Sequence, residues 1–292
     1  MKKWYKEYIS ALKMLEVEEI FDLIFYRPLA FLLVKLVYPT NITPNQLTII
    51  AVIFGLAGGI AFGMGTSELF IIGGILYILY DVFDCSDGQL ARLKRNGTKM
   101  GRILDGVADY IATTAAYLGI GFGFAGQSED PGLYWALTVG AGIVSAVQSI
   151  MLDYYRNRFL DIVLQRESVL ESELKEFQEE NERLKSVEGK KFEKMIIGVY
   201  LRYSEFQMKM TKTGESNKQS KVDKDVFYKK NKKIMHLWTY IGPTSQLTFM
   251  IVCALINRFD IYLIGQVTVG LPYALLMFLI QNKIDKEIGL KG

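Results

Sequence analysis

The chain has 292 residues, half of them hydrophobic and 22% charged, with 34 Lys and Arg against 31 Asp and Glu for a net charge of +3. So even a balance, with no basic stripe apart from the flanks of apolar runs, excludes a nucleic-acid-binding protein. Two cysteines, Cys85 and Cys253, both in apolar runs, exclude a disulfide framework and a Cys/His zinc motif; the mixture of apolar and charged residues points instead to membrane spans plus a polar portion.

The chain opens Met1-Lys2-Lys3-Trp4 without a compact apolar core and a small-residue cleavage site, so no removable signal peptide is expected. Across residues 1–40, Trp4, Tyr8, Leu12 and Leu15 recur at helical spacing with lysines elsewhere, which predicts an amphipathic helix lying in the headgroup layer. The apolar run Leu29–Tyr38 is too short to cross.

Residues 41–160 carry four runs near the ~20 residues a crossing needs: Pro44–Phe62, Leu69–Leu93, Gly101–Phe124 and Leu133–Arg156. Thr43 before Pro44 is a good helix start, a hydroxyl cap followed by a proline at the first helical position. Residues 161–233 are a polar insertion. Val163, Leu170, Phe177 and Leu184 are seven apart with Leu174 between, which predicts that the fourth helix continues outward as a short coiled coil. A second amphipathic pattern follows in Phe192, Met195, Ile196, Val199, Tyr200, Tyr203 and Phe206, and Thr211–Lys233 reads as a lysine-rich linker. Residues 234–292 supply two further runs, Leu237–Ile256 and Ile261–Ile280, and a tail. The expected fold is all-α and polytopic, with about six membrane helices and an interfacial N-terminal helix.

Lys2, Lys3, Lys6 and Lys13, the turn Lys94–Lys99, the segment before Lys233, and Lys283 and Lys286 all fall on one side of this topology. The opposite loops hold Glu68, then Glu129 and Asp130, then Arg258 and Asp260. The excess of Lys and Arg predicts that this side, with both termini, is cytoplasmic.

On that side the apolar runs are broken by Asp84, Asp87, Asp105 and Asp109. A charge at the centre of a membrane helix costs roughly 2.5–3.5 kcal/mol on insertion scales, so four carboxylates there require a cationic partner. At 3.6 residues per turn Asp84, Asp87, Gly88 and Ala91 share one helix face, and Gly101, Asp105 and Asp109 share a face of the next helix. A tight turn makes the two helices antiparallel neighbours, so the carboxylates can converge on one or two hard cations; Mg²⁺ or Mn²⁺ suits an all-oxygen site that also meets phosphate. Gly88, Ala91 and Gly101 remove bulk where a ligand must approach backbone, and Arg92 offers a cationic fork. Asp81, one turn before Asp84, is extra to this pattern and reads either as a partner of the ligating carboxylates or as a plain pocket-lining acid.

The pattern D-x-x-D-G-x-x-A-R-x8-G-x3-D-x3-D, filled at every position from Asp84 to Asp109, resembles the signature of the CDP-alcohol phosphotransferase family, and Asn41-Ile42-Thr43-Pro44-Asn45 is similar to the start of that family's first helix. The resemblance covers about Asn41 to Arg158. It implies that Asp84, Asp87, Asp105 and Asp109 are metal ligands and that Asp109 is also the general base. It further implies that Gly88, Ala91, Arg92 and Gly101 surround the CDP donor, that CMP is released, and that the protein is a homodimer. Asp153-Tyr154-Tyr155-Arg156-Asn157-Arg158 is similar to the S-Y-x-R-A-R stretch of the branch that uses inositol phosphate, with Asp for Ser and Asn for Ala, which makes Arg156 and Arg158 acceptor-phosphate residues; ordinary flanking arginines would look the same. The leading expectation is transfer of a phosphatidyl group from CDP-diacylglycerol to a polar alcohol such as inositol phosphate or glycerol phosphate. A soluble CDP-alcohol donor with a lipid or polyol acceptor is the alternative in the same chemistry. An ion-coupled transporter is the alternative class, disfavoured because the spans show no inverted repeat and because glycine and arginine among the acids suit a nucleotide. An idle scaffold is disfavoured by an intact Asp109.

Overall fold

The structure, a computed structural model, describes residues 2–12, 14–165, 169–185 and 223–290, with isolated positions between 189 and 202. The pattern from Phe192 to Phe206 lies outside the described residues. The helices are α1 (Lys2–Ala11), α2 (Arg27–Val37), α3 (Pro44–Gly63), α4 (Ser67–Lys94), α5 (Lys99–Gly119), α6 (Pro131–Leu164), α7 (Val169–Lys185), α8 (Lys224–Thr239), α9 (Pro243–Leu255), α10 (Phe259–Gly265) and α11 (Leu271–Glu287). No strand occurs among the described residues. Four helical stretches are long and apolar enough to cross a bilayer: Pro44–Gly63, Ser67–Lys94, Pro131–Leu164 and Phe259–Glu287. The protein is an all-α membrane protein. Helix α5 forms where the third span is expected, but Asp105, Asp109 and Arg102 lower its hydropathy below that of the four.

Two compact units make up the chain, the first from Met1–Ser149 and Thr239–Ala274, the second from Ile150–Trp238 and Leu275–Gly292. In the first unit, α3 is the central element and packs on both α4 and α5. Its start is fixed by a capping box: Thr43 Oγ1 accepts from the Gln46 amide at 3.4 Å, and Gln46 Oε1 accepts from the Thr43 amide at 2.9 Å. Glycine lets the backbones meet. A Cβ on Gly59 would lie 2.5 Å from the Ala115 carbonyl oxygen of α5, and one on Gly73 of α4 would lie 2.5 Å from the Phe62 ring. These glycines are therefore spent inside the chain. The outer face of α3 and its C-cap presents Ile49, Ile53, Leu56, Ile60 and Met64, an exposed apolar stripe suited to lipid.

Helices α4 and α5 approach one another through side chains, not backbone. Tyr77 donates to the Ala112 carbonyl at 2.9 Å, and Tyr80 donates to Asp109 Oδ1 at 2.6 Å. Since α3 takes the close backbone contacts with both helices, the expected simple antiparallel pair becomes a three-helix arrangement with polar side chains between α4 and α5.

Of the expected N-terminal stripe Leu12 is buried and Leu15 is 48% exposed; Ala11 is buried and α1 packs on α4. A further exposed apolar stripe runs through Phe25, Leu29, Leu32 and Leu36, at helical spacing along α2 and the π-helical turn Asp22–Tyr26 before it. Three further expectations are corrected. The fourth helix does not run on as a coiled coil: α6 ends at Leu164, and Gln165 takes the left-handed conformation at φ 51° before α7 begins. Phe177 and Leu184 of α7 are each 1% exposed, so this chain covers its own stripe. The fifth apolar run does not begin at Leu237, because α8 continues to Thr239 and α9 starts afresh at Pro243. Glu19 imposes that break: its Oε2 accepts from the Ser245 amide at 2.9 Å and hydroxyl at 3.1 Å, a carboxylate at a helix N-terminus. The linker also ends earlier than expected, since Lys224–Lys233 belongs to α8, whose Phe227, Ile234, Met235 and Trp238 are buried.

In the second unit Arg158 forks onto Asp285, Nη1 to Oδ2 at 2.9 Å and Nη2 to Oδ1 at 2.6 Å. Gln281 joins the pair, donating to Asp285 Oδ1 at 2.9 Å and to Asn231 Oδ1 at 2.8 Å, while the Trp238 indole donates to Gln281 Oε1 at 3.3 Å. The result is a connected polar network inside an aromatic shell of Tyr155, Phe159, Phe227 and Trp238.

Candidate active site

Three of the four signature carboxylates come together. One oxygen from each of Asp84, Asp87 and Asp105 lies within 4.8 Å of the others. Thr98 Oγ1 accepts from the Gly101 amide at 2.9 Å and so starts α5 one turn before Asp105. The end of α4 is pinned by Lys94 Nζ, which donates to the carbonyls of Thr40 at 2.9 Å and Ile42 at 3.0 Å. Thr48 of α3 donates a short hydrogen bond to Asp87 Oδ2. Asp84 Oδ1 is buried and accepts no hydrogen bond. An unsatisfied buried carboxylate oxygen is costly unless a cation meets it, so this cluster fits a hard divalent ion.

Asp109 is not within that triad but is held beside it by Tyr80. Neither Tyr80 nor Thr48 was singled out by the sequence pattern. Tyr80 was findable, since it lies four residues before Asp84 and seven before Asp87 on the same helix face. Thr48 was not, because no spacing rule ties a residue of α3 to a carboxylate on α4.

The small residues divide by cause. A Cβ on Gly101 would lie 2.9 Å from Asn45 Oδ1 and 3.0 Å from Thr98 Oγ1, so those two side-chain ends would have to shift to admit it. A Cβ on Gly88 would meet nothing nearer than Arg92 Nη1 at 3.4 Å, an ordinary contact. Packing leaves room at Gly88, and Ala91 lies one turn further along α4. Arg92 Nε donates to the Ala11 carbonyl at 2.5 Å, which sets its terminal nitrogens over Gly88.

Arg158 does not serve as the sequence suggested. Its side chain is 2% exposed and that of Asp285 is fully buried, so its fork is committed to a structural pair and no phosphate is presented to it. Arg156, half-buried on the same helix, is not part of that pair.

An all-α membrane protein with clustered carboxylates facing a general-base candidate defines the class. Residues 41–164, which hold every signature position, match the family model described as CDP-alcohol phosphatidyltransferase. Similar proteins include the phosphatidylinositol phosphate synthases of Corynebacterium glutamicum, 32% identical over 131 residues (45% of this chain, 55% of that protein), and of Mycobacterium tuberculosis, 30% identical over 119 residues (40% and 51%). A protein of Thermococcus kodakarensis named bifunctional IPC transferase and DIPP synthase is 28% identical over 119 residues, 41% of this chain and 25% of that one. The chain thus spans about half the length of the phosphatidylinositol phosphate synthases it matches.

Proposed function

We propose that the protein transfers a phosphatidyl group from CDP-diacylglycerol to a polar alcohol, releasing CMP, as a step of phospholipid biosynthesis. The observation that carries this reading is the meeting of Asp84, Asp87 and Asp105, with Asp84 Oδ1 unpartnered, beside a Tyr80-held Asp109 on the segment matched to the family. The names of the relatives favour an inositol phosphate as acceptor.

One or two Mg²⁺ or Mn²⁺ ions, held by Asp84, Asp87 and Asp105 with Asp109, would neutralise the donor pyrophosphate and the departing CMP. Asp109 takes the proton of the acceptor hydroxyl as that oxygen bonds to phosphorus and the bond from phosphorus to the CMP oxygen breaks. Tyr80 fixes the orientation of that carboxylate, and Thr48 does the same for Asp87. The terminal nitrogens of Arg92, set over Gly88, offer a charge-assisted fork to the donor phosphate or the cytosine. Gly88, Ala91 and Gly101 keep the donor's path free of bulk. Arg156 keeps the acceptor-phosphate role that the resemblance to the S-Y-x-R-A-R stretch implies for it. The active site and both termini face the cytoplasm, where nucleotide-activated donors are made, in accord with the placement of Lys and Arg. The working assembly is a homodimer, as the family resemblance implies.

The test is incubation of purified protein with CDP-diacylglycerol and a panel of alcohols that includes inositol, inositol phosphate and glycerol phosphate, with lipid products identified by mass spectrometry. A phosphatidylated alcohol formed together with CMP is the expected result. Turnover only with a soluble CDP-alcohol would replace the donor, and no CMP from any pairing would overturn the reading.

A further inference from the structure

A second group of donors lies in the first unit on a neighbouring face of α4. Asp81 and Cys85 are four residues apart, hence one above the other on the helix, and Asp22 reaches them from the π-helical turn Asp22–Tyr26. One ligand atom from each of Asp22, Asp81 and Cys85 lies within 4.8 Å of the other two. Neither Asp81 nor Cys85 is a position of the signature.

Glu18, Glu19, Asp22 and Asp81 are all buried, and Arg27 lies 2.8 Å from Glu18 and 3.8 Å from Asp22. Glu19 is turned to the start of α9. Asp81 is 6% exposed, and its Oδ2 has no hydrogen-bond partner. A carboxylate left so deep and unmet is among the costliest arrangements a protein holds, unless a cation completes it. Its neighbours are already oriented: Asp22 Oδ1 accepts from Thr244 Oγ1 at 3.3 Å and from the Cys85 thiol at 3.6 Å. Cys85 is only partly buried.

We propose that Asp22, Asp81 and Cys85 form a second cation site, separate from the Asp84–Asp87–Asp105 cluster and selective for a thiophilic divalent ion such as Zn²⁺. One thiolate and two carboxylates are a donor set that borderline ions accept and that Mg²⁺ does not favour. Binding replaces the thiol proton, now shared with Asp22, by the metal and releases that proton to solvent. The same ion joins the segment before α2 to α4, so the site is a clamp on the N-terminal segment and takes no part in phosphoryl transfer.

The test uses full-length, chelator-stripped protein in detergent with excess Mg²⁺ to cover the carboxylate cluster. Co²⁺ is then added and the near-ultraviolet thiolate-to-cobalt band recorded, with bound Zn²⁺ counted by elemental analysis in a parallel sample. Wild type and Cys253→Ser should show the band and bind one Zn²⁺ more than Cys85→Ser, in which the band is lost. Asp81→Asn should weaken Zn²⁺ at least about tenfold, whereas Asp87→Asn should leave band and stoichiometry intact. No band in wild type, a band that survives Cys85→Ser, or loss of the band in a folded Asp87→Asn protein would each overturn the proposal. If Cys85→Ser does not fold, the band in Cys253→Ser, whose sole thiol is Cys85, decides the matter by itself.

Discussion

Asp109 and Tyr80 act as a pair, and substitution at either should show it. Removing a general base typically costs about 10²–10⁴-fold in rate, so Asp109→Asn should cripple CMP release while CDP-donor binding persists. Tyr80→Phe removes one hydrogen bond to a carboxylate, a change of roughly 1.5–3 kcal/mol, or about ten- to a hundredfold. That loss should fall on kcat and leave the donor KM near wild type, and the double variant should be little slower than Asp109→Asn alone. Additive losses would show that Tyr80 serves the fold and not the base. The carboxylates were legible in the sequence because charge in an apolar run is anomalous on its face. Tyr80 shares their helix face but was passed over, since a Tyr in a membrane helix is ordinary until its partner is seen. Arg158 was misread for a related reason: an arginine near a helix end looks alike whether it meets a phosphate or, as here, Asp285 from far along the chain.

Elements were legible where the start signal is local. Thr43-Pro44, Thr66 and Thr98 each cap the helix expected after them. They were illegible where the cause is distant. Glu19 starts α9 from more than two hundred residues away; the Gly242-Pro243 pair inside the run marks the break, but nothing local shows the carboxylate that meets the new helix. Helix α8 was hidden by its lysines, which are compatible with a linker until Phe227, Ile234 and Trp238 are seen to share a buried face. Packing of α3 separates two kinds of glycine, and this is testable by alanine. Gly59→Ala would drive a methyl to within 2.5 Å of the Ala115 carbonyl, so it should lower the melting temperature and the yield of folded protein. Gly88→Ala meets only an ordinary contact, so its melting temperature should stay near wild type while the donor KM rises. A thermal scan and a donor titration on the two variants check both halves. In the second unit, Arg158→Ala leaves Asp285 buried and uncompensated, which costs about 3–5 kcal/mol; the double change Arg158→Met with Asp285→Leu should recover most of it.

At the scale of the whole molecule, the sequence displayed its membrane character and its family signature because both are written in composition and spacing. How many helices cross was less legible. Four stretches satisfy length and hydropathy, while α5, which carries Asp105 and Asp109, and α9, only 13 residues long, fall short by those measures. Carboxylates within a helix and a helix started by a distant acid both lower the hydropathy signal. The account as a whole depends on metal-assisted transfer from a CDP donor at the Asp84–Asp109 cluster. It is tested most directly by timing CMP release from CDP-diacylglycerol and an acceptor alcohol, first in excess chelator and then after adding back Mg²⁺ or Mn²⁺, with Asp87→Asn in parallel. The account predicts no release in chelator, recovery with metal, and none from Asp87→Asn under either condition; undiminished release in excess chelator, or full activity in Asp87→Asn, would contradict it.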